Sequence, residues 1–214
     1  LMASARELKR LDLATTSGRW AEVYSRSILN RIYGETVGIV GFGWIGRAMA
    51  RKCNALGMKV LINDPYVGEH LATEYGVEFV SKNELLERSD YVTLHIPHLD
   101  GTHHFIDADA LDRMKTSAYL INTARGPVVD EIALVTAVQS EQIAGAGIDV
   151  YEEEPLSPDN PILKMENVIC TPHVAGSSEL GWETIRRRAG EEAARVLRGE
   201  RPTVVVNPEV LGRI

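Results

Sequence analysis

From Glu35 onward the chain alternates between two hydrophobic periods. The runs "TVGIV" (36–40), "KVLIND" (59–64), "VEFV" (77–80), "YVTLH" (91–95), "AYLINT" (118–123), "AGAGIDV" (144–150) and "NVICT" (167–171) are short, almost continuously apolar and mostly β-branched. That is how strands buried on both faces read. Between them lie segments with a helical period. "WIGRAMARKCNALG" (44–57) predicts a helix with Ile45, Ala48, Met49, Cys53 and Leu56 on one face, and "SKNELLERS" (81–89) opens with a Ser81/Glu84 capping box. Strand and helix in strict alternation predict right-handed βαβ units, hence an α/β fold: a doubly wound parallel sheet with helices on both faces.

Two ends fall outside this alternation. "LMASARELKRLDLATTSGRW" (1–20) reads as a helix and an approach loop, and "GERPTVVVNPEV" (199–210) as an extended tail with no sheet of its own. The expected division is residues 1–177 as one domain with its N-terminal linking helix, and 178–214 as a C-terminal helix and tail. "EEEPLSPDNPILKMEN" (152–167) carries Pro155, Pro158 and Pro161 and is expected to be an ordered loop.

Composition narrows the function. The 214 residues are 44% apolar, enough for a substantial core. A net charge of -7 gives nucleic acid or anionic membrane no general attraction, and the basic run "IRRRAGEEAARVLRGER" pairs Arg187 with Glu191 and Arg188 with Glu192 at helical spacing. Cys53 and Cys170 have neither disulfide-framework nor zinc spacing, and no signal peptide or membrane-length apolar run is present. A cytoplasmic protein is expected.

The chemistry begins at "TVGIVGFGWIG". Gly41, Gly43 and Gly46 form G-x-G-x-x-G at the step from the first strand into the first helix. There glycines let the backbone turn and approach a pyrophosphate, whose charge meets the helix N-terminus. The second strand ends at Asp64, eighteen residues after Gly46, where a carboxylate chelates ribose hydroxyls. Asp64 would repel a 2′-phosphate and no Arg follows it, so the expected cofactor is NAD and the fold Rossmann-like.

Ligands of an open parallel sheet bind beyond the carboxyl ends of its strands. Three reactive residues follow strands directly: Arg125, Glu154 and His173. Alone, each is an ordinary surface group. Beside a nicotinamide site they form a set: an imidazole to give and take a proton, a carboxylate to fix its tautomer and favour the protonated form, and a guanidinium to hold a substrate carboxylate bidentately.

These motifs, "TVGIVGFGWIG", "LHIP", "INTARGPVVDE", "GIDVYEEEP" and "TPHVAG" in this order, resemble the NAD-binding domain of the D-isomer-specific 2-hydroxyacid dehydrogenases from about Met2 through Pro208. The resemblance implies catalytic roles for Arg125, Glu154 and His173. It also implies cofactor contacts at Gly41, Gly43, Trp44, Ile45, Gly46 and Asp64, at Ile96, Pro97 and Thr102, at Thr123, Ala124, Arg125 and Asp149, and at His173 and Gly176. The expected reaction is interconversion of D-2-hydroxyacids and 2-oxoacids, in a homodimer whose contact surface includes Trp20.

There are departures. His98 stands where the family often has Leu, with His103 and His104 close behind; this chemistry needs no metal, so none is expected, and His98 is expected to line the adenine pocket. Glu154 replaces the Gln of the formate-oxidising branch. The chain also begins, at Leu1, where the first part of the family's substrate domain would already have ended, so either a fragment of a longer enzyme or a free-standing NAD-binding module is expected. In the second case it would act as a sensor or partner-binding domain with little turnover of its own.

Overall fold

The computed structural model describes residues 1–26, 29, 31–68 and 70–213. The chain divides into two compact units, Leu1–His173 and Val174–Ile214.

The first unit opens with α1 (Met2–Ala5), α2 (Leu8–Thr16) and α3 (Trp20–Arg26), where one helix and a loop are expected from the sequence. The break has a backbone cause: Glu7 adopts a left-handed conformation, φ 46°, and ends any continuous helix there. Then come β1 (Thr36–Val40), α4 (Trp44–Ala55), β2 (Lys59–Asn63), α5 (Leu71–Tyr75), β3 (Glu78–Phe79), α6 (Lys82–Arg88), β4 (Tyr91–Leu94), α7 (Ala108–Asp112), β5 (Tyr119–Asn122), α8 (Glu131–Gln139), β6 (Gly145–Ile148) and β7 (Val168–Cys170). All seven expected strands form one parallel sheet in the order β3-β2-β1-β4-β5-β6-β7. This is the Rossmann-like doubly wound arrangement, and it puts every strand's carboxyl end on the same edge.

The sheet is buried on both faces, as the continuous apolar runs require. Val60 and Ile62 enter one core cluster and Leu61 the other; likewise Ile121 and Leu120 part company, as do Tyr91 and Val92. The predicted face of α4 is half wrong. Cys53 is buried, but with Gly46 and Ala50, whereas Ile45 is 69% and Leu56 41% exposed. The stripe of small residues wins because α4 lies so close to the glycine loop that a Cβ on Gly46 would stand 2.1 Å from the Gly41 carbonyl oxygen. The Ser81/Glu84 capping box of α6 forms as expected.

The edge strand β7 is short, and Lys9 of α2 caps the carbonyls around it: its Nζ donates to Met165 O and Val168 O, each at 2.8 Å. Residues 152–167 form the expected loop, with one 3₁₀ turn at Pro161–Lys164. The second unit holds α9 (Glu179–Leu197) and a tail that ends in a 3₁₀ turn, Pro208–Arg213. Arg187 pairs with Glu191 at 2.7 Å, but Glu192 turns away from Arg188, to accept from Thr203 N at 2.8 Å and face Arg195 at 3.8 Å. No helix among the described residues is long and apolar enough to cross a membrane.

Candidate active site

The glycine loop is built by exclusion. Gly41 has φ 92°, and a Cβ there would lie 2.6 Å from the His95 carbonyl oxygen. Gly43 differs: it is the N-cap of α4, and a Cβ there would meet nothing within 4 Å. The ground in front of it is open, and no side chain caps the first-turn amides of α4, so the cradle fits a pyrophosphate. Asp64 is moored to this loop: Oδ2 accepts from Phe42 N at 2.7 Å and Oδ1 from Tyr66 N at 2.9 Å. Each oxygen keeps a lone pair for a ribose hydroxyl. Trp44 is 95% exposed at the start of α4, beside Ile45.

At the end of β4, His95 lies behind the loop with Nε2 3.2 Å from Thr93 Oγ1, and burial pushes its imidazole down to about 4. It is neutral at physiological pH. Ile96 is half-buried and Pro97 exposed. The Thr102 hydroxyl donates to Pro97 O at 2.6 Å and accepts from Leu99 N at 2.8 Å, so it closes its own loop. His98 Nε2 lies 3.3 Å from His103 Nδ1, His103 stacks on His104 at 4.0 Å, and His104 Nε2 reaches Glu152 Oε1 at 3.0 Å. Among the described residues no three His, Cys, Asp or Glu side chains converge as metal ligands would.

The loop after β5 carries Thr123, Ala124 and Arg125. Buried Asn122 shapes it, accepting from Ala124 N at 3.0 Å and donating to Arg125 O at 2.9 Å. Thr123 and Arg125 are exposed and Ala124 half-buried. The Arg125 guanidinium donates through Nη1 to Ala124 O at 2.6 Å, and no carboxylate among the described residues pairs with it. The next residue presses this loop onto the one after β6: a Cβ on Gly126 would stand 1.7 Å from Tyr151 O.

After β6 come buried Asp149 and then Glu154, whose peptide bond to Pro155 is cis. Beyond β7 stands His173, and its Nδ1 meets Glu154 Oε2 at 2.8 Å. The hydrogen bond to His173, seconded by the Tyr151 amide at 3.0 Å, holds the Glu154 carboxyl below the ordinary carboxylate range. Glu154 and His173 border a cleft of about 650 Å³ whose other walls include Tyr151, Leu156, Leu163 and Pro172. The structure thus joins Glu154 to His173 and packs the Arg125 loop against theirs, without bringing the Arg125 guanidinium to the pair. Gly176 belongs to the second unit, where it is exposed.

A sequence profile described as D-isomer specific 2-hydroxyacid dehydrogenase, NAD binding domain, matches residues 1–175. The chain belongs to that family. A glyoxylate reductase of Korarchaeum cryptofilum is 42% identical over 213 residues, 99% of this chain and 64% of the relative. A D-3-phosphoglycerate dehydrogenase of Methanocaldococcus jannaschii is 38% identical over 208 residues, 97% of this chain and 39% of the relative. The NAD-complexed D-isomer specific 2-hydroxyacid dehydrogenase of Lactobacillus delbrueckii ssp. bulgaricus superposes with a TM-score of 0.86 at 32% identity, covering 96% of this chain and 66% of that one. The chain spans less than two thirds of the length of these curated relatives. As a member of this family it carries the NAD-binding domain, and NAD fits the open glycine cradle and Asp64.

Sequence reading missed the parts that hold this site together. Gly126 looks like one more turn glycine, Asn122 like a strand residue, and Tyr151 like an aromatic in the core. The Glu131–Glu152 clamp, with Glu131 N on Glu152 Oε1 at 2.9 Å and Glu152 N on Glu131 Oε2 at 3.2 Å, leaves no sequence signal beyond an acidic run.

Proposed function

We propose that this chain is the cofactor-binding part of an NAD-dependent oxidoreductase that interconverts D-2-hydroxyacids and 2-oxoacids, with His173 as acid/base, Glu154 its partner and Arg125 the substrate-carboxylate ligand. The observation that carries the reading is the 2.8 Å contact between His173 Nδ1 and Glu154 Oε2 on the edge that holds the glycine cradle. Glu154 occupies Nδ1, so Nε2 is the nitrogen left to face a substrate.

Gly41, Gly43 and Gly46 with Asp64, flanked by Trp44, Ile45, Ile96, Pro97, Thr102, Thr123, Ala124 and Asp149, would hold NADH, which when bound would supply the hydride that reduces the substrate's carbonyl carbon. Arg125 grips the carboxylate in a two-pronged hydrogen bond and turns the neighbouring carbonyl toward His173. His173 gives its Nε2 proton to the carbonyl oxygen as the bond order falls, which leaves a hydroxyl; in the reverse direction the imidazole takes that proton back. Glu154 keeps the ring from turning and faces the positive charge when Nε2 is protonated.

The test is steady-state reduction of glyoxylate, pyruvate and hydroxypyruvate by the whole protein. His173→Ala should lower turnover by about 10² to 10⁴, and full turnover in that variant would overturn the assignment. Arg125→Lys should raise KM steeply, because an ammonium cannot make the planar fork. NAD should bind more tightly than NADP in a calorimetric titration, and Asp64→Ala should narrow the difference. The assembly proposed is a homodimer in the cytoplasm, joined through the N-terminal segment, where Trp20 and Tyr24 are 61% and 80% exposed and stack at 6.2 Å. Light scattering that finds only a monomer at micromolar concentration would count against it.

A further inference from the structure

His173 is not held by its side chain alone. Its φ is 55°, in the left-handed region, where a residue with a Cβ pays roughly 1–2 kcal/mol of steric strain. Such a conformation persists only where neighbours over-determine it. Here they do. The His173 amide donates to Asp149 O at 2.8 Å, with Thr171 O at 3.1 Å as a second acceptor. Thr171 Oγ1 donates to Asp149 Oδ1 at 2.5 Å. The Tyr151 hydroxyl donates to Thr171 O at 3.0 Å, and Ile148 O lies at 3.3 Å from the same oxygen. Asp149 is 3% and Tyr151 6% exposed, so the exposed Thr171 and His173 are tied to two buried anchors.

Tyr151 occupies a particular place among them. Its amide donates to Glu154 Oε1 at 3.0 Å, and its hydroxyl reaches the carbonyl two residues before His173. One residue therefore touches both the turn that carries the carboxylate and the strand end that carries the imidazole. Phenylalanine would fill the same space, so packing alone does not call for the hydroxyl. Without it, the Thr171 carbonyl would lose its side-chain partner, and the segment leading to His173 would be free to relax out of its left-handed turn.

We propose that Tyr151, acting with Thr171, is a positioning residue: its hydroxyl straps the end of β6 to the end of β7 and holds His173 in the backbone conformation that brings its imidazole onto Glu154. The strap is independent of catalysis, but its consequence for turnover rests on the reading of His173 as acid/base. Burial keeps the phenol above its ordinary range, so it remains a donor throughout the pH range in which the protein works.

The experiment follows the Glu154 carboxyl carbon by NMR through a pH titration, together with hydrogen exchange at the His173 amide, in the chain and in its Tyr151→Phe and Thr171→Val variants. In the unmodified protein Glu154, hydrogen-bonded to His173 and the Tyr151 amide, should titrate below an ordinary carboxylate. In Tyr151→Phe its midpoint should rise toward the ordinary value, and the His173 amide should exchange about tenfold faster, as expected when a bond worth about 1.4 kcal/mol is lost. The amides of β1 should exchange as before, which separates a local change from a global one. Thr171→Val should move both readings the same way by a smaller amount, and it alone decides the matter should Tyr151→Phe not fold. Unchanged Glu154 titration and unchanged His173 exchange would overturn the strap, even if His173→Ala abolished turnover. A shifted Glu154 midpoint with full turnover in His173→Ala would leave the strap standing and overturn the acid/base reading instead.

Discussion

The two edges of the sheet treat their charges in opposite ways. At the amino edge, where β1 and β4 begin, Asp90 accepts from Thr36 N at 2.8 Å and from Lys115 Nζ at 2.8 Å, and it shares a hydrogen bond with Glu35. Burial pushes Asp90 up, but Lys115, the Thr36 amide and Glu35 more than offset it and hold the carboxyl below its ordinary range. Glu35 moves the other way, raised first by its hydrogen bond to Asp90 and then by burial. Tyr91 and Tyr119 stack below the pair at 6.1 Å. The two carboxylates, Lys115 and the Thr36 amide thus satisfy one another, while the buried Tyr91 hydroxyl has no hydrogen-bond partner among the described residues. At the carboxyl edge Arg125 has no carboxylate partner among the described residues, His173 has one nitrogen engaged, and the amides in front of Gly43 face open space. Both clusters contain charged side chains, and what separates the charges of the carboxyl edge from Asp90 and Lys115 is the bonding capacity left open toward solvent.

The sharpest break in that contrast lies at two glycines of the carboxyl edge. Gly126→Ala should cost about 3 kcal/mol or more in urea unfolding, because its Cβ would meet the Tyr151 backbone. Gly43→Ala should leave stability within about 0.5 kcal/mol and still weaken NAD binding severely, since the space it fills is the cradle. Equal stability losses at the two positions would erase the distinction between holding the edge and leaving it open.

Acidification should separate the edges next. His95 has a depressed folded-state value near 4. Its contribution is therefore fully present above the unfolded imidazole value of about 6.5, and it is lost as pH falls toward 4, by about 2–3 kcal/mol. His95→Gln should flatten that part of the stability profile. At the amino edge, Asp90→Ala should cost about 2 kcal/mol, because it strands the Thr36 amide and Lys115 together. The smallest effect belongs to Glu35. Its raised value means that its contribution is present below the ordinary carboxylate range and lost as pH rises through the folded value. Glu35→Gln should thus stabilise the protein at pH 7 by under about 1 kcal/mol and do nothing near pH 3. A destabilised Glu35→Gln at neutral pH would mean that the amino edge, too, depends on a charge.

Much of this was legible in the sequence, for physical reasons. A strand buried on both faces has little choice but an unbroken apolar run, so "TVGIV" and "YVTLH" announce themselves. Gly41 and Gly46 are required by backbone contacts that leave a fixed spacing, and Glu154 and His173 sit where parallel strands must end. The failures share a different cause. Ile45 and Leu56 were placed on one face with Cys53 on period alone, but α4 packs through Gly46 and Ala50 because closeness, not hydrophobicity, decides that contact. Gly126 and Tyr151 act across the sheet on partners far away in sequence or on backbone carbonyls, which carry no residue identity. The Glu35–Asp90 hydrogen bond spans two strand starts that only the sheet order makes neighbours.

Lys9 adds a matter of timing. Its ammonium binds carbonyls 156 and 159 residues further along the chain, at the last strand of the sheet. On a ribosome adding about 5–20 residues per second, α2 would wait roughly ten to thirty seconds for the partner it caps. At the close of that interval, between the making of β6 and of β7, the growing sheet ends in β6, a strand edge open to any passing extended peptide. Helix α2 thus finds its carbonyl partners only when the last strand is made, and a nascent chain stalled before Met165 would carry both an unpartnered ammonium and a bare edge, which is the state a chaperone would be expected to meet.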